Sequence, residues 1–101
     1  MSVLNVDKNN FNEIKASGKT VLLDFYATWC GPCMMVSPII DSIAEERSDI
    51  TVGKINVDKS PELAGEFGVY SIPTLVVLKE GKVHRVATGA RPKEAILALL
   101  D

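Results

Sequence analysis

The sequence is short of the residues that most binding chemistries need. It has two cysteines and one histidine in 101 residues. A structural zinc site takes four thiolate or imidazole ligands, so Cys30, Cys33 and His84 cannot complete one. No metal site is expected, and a bridged cluster would need a second chain. Eleven basic residues stand against 13 acidic ones, the net charge is -2 and the isoelectric point is about 5.3. Without a basic stretch to neutralise phosphates, nucleic acid is excluded as a partner. No apolar run approaches the ~18 residues of a membrane helix, so no membrane contact is expected. Met1 to Asp7 lacks the apolar stretch of a secretory leader, and a cytoplasmic location is expected. There is no Gly-x-Gly-x-x-Gly segment, so the chain should bind no flavin or nicotinamide of its own. Repeats, low-complexity tracts and linkers are also missing, and residues 1–101 read as one domain, expected to be a monomer.

What is present suffices for a core: 47% of residues are hydrophobic and 24% charged, ordinary for a globular domain. Val3 to Val6 reads as a short edge strand. Asn10, with Glu13 three residues on, should open a short helix that Gly18 ends. Thr20 to Tyr26 is a nearly continuous apolar run, expected of a strand covered on both faces. Pro32 to Glu46 reads as a long helix with Val36, Ile39, Ile40 and Ile43 at helical spacing, kinked by Pro38. Ile50 to Val57 follows as a second central strand, parallel to the first because a helix connects them. Ser60 and Pro61 should open a short helix that Gly68 closes. Thr74 to Leu78 and Lys82 to Thr88 flank Lys79-Glu80-Gly81, a hairpin signal. A helix from Pro92 to Leu100 ends the chain. The order, βαβαβ followed by αββα, predicts an α/β fold with a central mixed five-stranded sheet flanked by four helices.

Both cysteines fall in Trp29-Cys30-Gly31-Pro32-Cys33, where the long helix opens. Thiol–disulfide exchange needs one thiolate to attack and a second thiol to resolve the mixed disulfide. At a helix N-terminus the unpaired N–H groups and the positive dipole end favour a thiolate at Cys30. Cys33 lies one turn further in. A purely structural disulfide would close so short a loop that it stabilises less than the ~3 kcal/mol of a fifteen-residue loop. Gly31 and Pro32 bring no charge to stabilise the thiolate, which suits a dithiol that donates electrons. Asp24 interrupts the apolar run 21–26, and a buried carboxylate there needs a reason. It either caps a neighbouring helix or meets solvent at a strand end, or it accepts the Cys33 proton. Burial would raise its pKa and a nearby cation lower it. Lys54, in the adjacent strand, is either that cation or an ordinary solvated lysine.

The Trp-Cys-Gly-Pro-Cys segment, Asp24, the Val52-to-Asp58 strand with Lys54, and Ile72-Pro73-Thr74 together resemble the thioredoxin family over nearly the whole chain. The resemblance implies the thioredoxin fold and a general protein-disulfide reductase, with Cys30 as nucleophile, Cys33 as resolving thiol and Asp24 as proton acceptor tuned by Lys54. It implies a cis bond before Pro73, which on local sequence alone reads as a strand start, facing the dithiol. Trp29, Gly31, Pro32, Ile72, Pro73, Gly89 and Ala90 would then form a small apolar client surface. It also implies a redox-active Cys30–Cys33 disulfide, no bound cofactor, and recharging by a thioredoxin reductase with NADPH behind it. Clients of the class would be ribonucleotide reductase, peroxiredoxins and methionine sulfoxide reductases. A protein disulfide oxidase or isomerase, or a binding module in a larger assembly, is the alternative. Met34 stands where the family commonly has lysine, and Tyr26 where many members have tryptophan. Met35 is expected in the core, and His84 in solvent without a function.

Overall fold

The computed structural model describes residues 3–101. Its elements run β1 (Leu4–Asn5), α1 (Phe11–Ala16), β2 (Val21–Tyr26), α2 (Gly31–Glu46), β3 (Thr51–Asn56), α3 (Pro61–Glu66), β4 (Thr74–Lys79), β5 (Lys82–Thr88) and α4 (Lys93–Ala98). The strands form one five-stranded sheet in the order β1-β3-β2-β4-β5. β1 and β2 pair parallel to β3, while β4 runs antiparallel to both β2 and β5. This is the mixed sheet and helix complement the sequence predicts.

Alternation along β2 sends its side chains into two separate cores. Val21, Leu23 and Phe25 pack with Phe11, Ile14 and Leu63, under α1 and α3. Leu22 packs with Val36, Ile40, Ile43 and Ile96, under α2 and α4. Asp24, two residues after Leu22, faces the α2 layer. In the sheet register it lies directly beside Lys54 of β3. That pairing places the acid and the base on one face.

Several local expectations need correction. Val3 and Val6 lie outside β1, which is only two residues long. Asn10 occupies the N-cap position of α1 without a capping bond. Its side chain instead accepts the Asp7 N–H at 2.9 Å and donates to the Asn5 carbonyl at 2.8 Å. Ser60 likewise sits at the N-cap of α3 without a side-chain cap. Met35, expected in the core, is 72% exposed. The apolar face of α2 is already filled by Val36, Ile40 and Ile43, which leaves Met35 on the opposite side. The β4–β5 hairpin turns through Glu80 (φ 52°) and Gly81 (φ 76°), the double left-handed geometry that matches strand twist.

Candidate active site

Cys30 is the N-cap residue of α2, in an extended conformation (φ -93°, ψ 110°). Its Sγ accepts the Cys33 N–H at 3.2 Å, so a sulfur rather than a Ser or Asp oxygen occupies the capping position. Gly31 and Pro32 form the first turn, where the missing proline N–H costs nothing. Cys30 and Cys33 are joined as a disulfide with Cα atoms 5.3 Å apart. Cys30 is 5% and Cys33 1% exposed, and both pack with Ala27 against Tyr26, Val57 and Ile72.

Across from the pair lies the turn ahead of β4. The Ile72–Pro73 bond is cis. Cys30 Sγ stands 3.9 Å from the Ile72 carbonyl oxygen. The Thr74 hydroxyl donates to the Ser71 carbonyl at 2.6 Å, and the Gly89 N–H donates to the Pro73 carbonyl at 2.8 Å. Gly89 itself has φ 97°, a backbone that favours glycine. Trp29, Gly31, Pro32 and Ala90 are exposed, Ile72 and Gly89 half-buried, and Pro73 buried. Of these residues, Ile72 makes direct contact with Cys30. Trp29 is 70% exposed yet fixed, its indole Nε1–H donating to Asp58 Oδ2 at 2.8 Å.

On β2, Asp24 is 1% exposed and neither carboxylate oxygen has a hydrogen-bond partner within the protein. Burial pushes its pKa from 3.8 up to about 6; the Lys54 charge pulls it down, and the Asp41 charge pushes it up. Lys54 is not tied to Asp24. Its ammonium donates to the Ser37 hydroxyl, lies 3.7 Å from Asp41 Oδ1, and sits 6.0 Å from the centre of the Tyr26 ring. Ser37, Asp41 and Asp58 are the site residues that sequence reasoning missed. Ser37 and Asp41 follow Cys33 at i+4 and i+8, so helical spacing from the dithiol was the signal that could have found them. No group of three or more His, Cys, Asp or Glu among the described residues could hold a metal ion.

A buried cysteine pair at a helix N-terminus, with Cys30 as the cap and the Ile72 carbonyl beside it, fits a thiol–disulfide oxidoreductase. The Thioredoxin family model matches residues 2–101. A thioredoxin from Chlorobaculum thiosulfatiphilum is 46% identical, over 94% of this chain and 89% of its own length. A bifunctional thioredoxin reductase/thioredoxin from Mycobacterium leprae is 47% identical over 90% of this chain and 20% of its own length. The solved structure of a point-mutant thioredoxin from Halobacterium salinarum superposes with a TM-score of 0.91 at 35% identity, covering 98% of this chain and 88% of that one. The chain belongs to the thioredoxin family. It is a protein-disulfide oxidoreductase whose redox group is the Cys30–Cys33 pair.

Proposed function

We propose that the chain is a general protein-disulfide reductase in which Cys30 attacks, Cys33 resolves and Asp24 takes the resolving proton. The observation that carries this reading is the placement of Cys30 Sγ. It holds the N-cap position of α2, beside the Ile72 carbonyl. The Cys30 thiolate attacks one sulfur of a client disulfide, forming a mixed disulfide and releasing the other client sulfur as a thiolate. Cys33 then loses its proton to Asp24, through water, and attacks Cys30 Sγ. The second client sulfur leaves, the client has gained two electrons, and the chain is left as the disulfide. An extended client segment pairing with the backbone at Ile72 would hold the target sulfur in line.

A thioredoxin reductase is the recharging partner, and the fused relative carrying both activities supports that pairing. Ribonucleotide reductase, peroxiredoxins and methionine sulfoxide reductases are the client classes proposed, and a reducing cytoplasm is the proposed setting. Replacing Cys33 by Ser should trap clients as mixed disulfides on Cys30, read by non-reducing gels. A Cys33→Ser variant that turned over normally would refute the resolving role. Direction is tested by titrating the couple: a potential below about −250 mV fits a reductant, whereas one above about −200 mV assigns an isomerase or oxidase.

A further inference from the structure

Among the described residues, α2 carries exposed apolar side chains that the protein's own packing does not use. Trp29, Met34, Met35 and Tyr70 are large hydrophobic side chains at 70%, 45%, 72% and 98% exposure. The other exposed ones, Leu4, Val83 and Val86, lie away from the dithiol on the edge strands β1 and β5. Along α2, residues Gly31, Met34, Met35 and Pro38 are all exposed. Their spacing of i, i+3, i+4 and i+7 puts them in one stripe. The opposite face of α2 supplies the core, so nothing in folding requires thioethers at 34 and 35. The stripe begins at Gly31, next to Cys30, and the first charged residue on α2 is Asp41. At 1.5 Å per helical residue it runs about 10 Å, the length of some three extended residues of a bound chain.

We propose that this stripe of α2 is a docking strip for the segment flanking a client's disulfide, selecting clients with aliphatic or aromatic side chains there over charged ones. The proposal rests on the reductase reading, because that reaction brings the client's disulfide to Cys30 at the head of the strip. Methionine suits such a strip because its unbranched, polarizable side chain repacks against differently shaped apolar partners. Burial against such a partner removes apolar area from water, whereas a charged flank gains no counter-ion between Gly31 and Pro38 and must be desolvated there.

Two synthetic peptides with the same intrachain disulfide test this, one flanked by Leu and Phe, the other by Glu, Lys and Ser. The pre-reduced chain is mixed with each under single-turnover conditions and read by Trp29 fluorescence. The second-order rate constant should favour the apolar peptide by about tenfold. That ratio should hold from about 0.05 to 0.5 M salt, since screening acts on charges. A Met34→Gln, Met35→Gln chain should bring the ratio close to one, and a Met34→Leu, Met35→Leu chain should keep it. A native ratio near one, or a ratio that persists in the Gln chain, overturns the proposal. So does a native dimer by sedimentation that the Gln substitutions disperse, which would assign the strip to a second copy. Reduction of neither peptide defeats the reductase reading itself, and the strip with it.

Discussion

Asp24 shows how a single residue can be expensive and adjustable at once. With its pKa raised from 3.8 to about 6, the folded chain holds this proton more tightly than the unfolded chain does. Stability therefore falls as pH rises from about 4 to 6, and the full penalty of about 3 kcal/mol stands above pH 6. In an Asp24→Asn chain a neutral amide replaces the acid. It should unfold in urea with about 3 kcal/mol more stability than the native disulfide form at pH 8, and with equal stability below pH 4. The same substitution should slow the resolving step, so mixed disulfides accumulate. A stability difference that stays constant across this range would mean that Asp24 is not the titrating group. Burial raises the proton's affinity most, and α2 adjusts it, where Ser37 and Asp41 hold the Lys54 ammonium. Ser37→Ala frees that ammonium to approach Asp24, and Asp41→Asn removes a charge that raises the acid. Each should lower the Asp24 pKa, read by an infrared titration of the carboxyl stretch; an increase in either variant would contradict the arrangement.

At the scale of elements, Gly53 joins strand pairing to packing. A Cβ at Gly53 would lie 2.5 Å from Val6 Cγ2 and 3.5 Å from Leu23 Cδ2. Val6 is buried and its branched side chain has no free end to swing away. Gly53→Ala should therefore cost about 1–3 kcal/mol, read as a drop of roughly 4–8 °C in Tm per kcal/mol. An unchanged Tm would show that the two-residue β1 shifts aside freely. Most elements were legible because their periods are strong: the run 20–26, the spacing of Val36, Ile40 and Ile43, and the glycine at the hairpin turn. Their ends were not, since the Asn10 side chain bonds the preceding segment at Asn5 and Asp7 instead of capping its helix, and Ser60 makes no cap bond either. Met35 was misplaced because an apolar residue at helical spacing does not reveal which side the sheet covers. The dithiol, Asp24 and Lys54 could be singled out by residue type and position. Helical spacing lines Ser37 and Asp41 up with Cys33, but their hold on Lys54 shows only once β3 is known to lie beneath α2.

For the whole molecule, electron donation and stability are two readings of one quantity. A thermodynamic cycle links the native and unfolded chains in their disulfide and dithiol forms. The disulfide's extra stability therefore equals the amount by which folding makes the couple more reducing. Closing the short Cys30–Cys33 loop, with a sequence separation of 3, removes entropy from the unfolded disulfide form worth about 2 kcal/mol. The α2 N-terminus acts the other way. It stabilises a Cys30 thiolate in the native dithiol by about 0.3–1 kcal/mol, through the Cys33 N–H that already points at Sγ. Loop closure is the larger effect. The disulfide form should be more stable by about 1–2 kcal/mol, and the native couple about 20–40 mV more reducing than that of the unfolded chain. Scanning calorimetry of the two forms should find the dithiol chain melting roughly 5–15 °C lower. A dithiol chain that melted at or above the disulfide chain would mean that thiolate stabilisation outweighs loop closure. Folding would then make the pair more oxidising than it is in the unfolded chain.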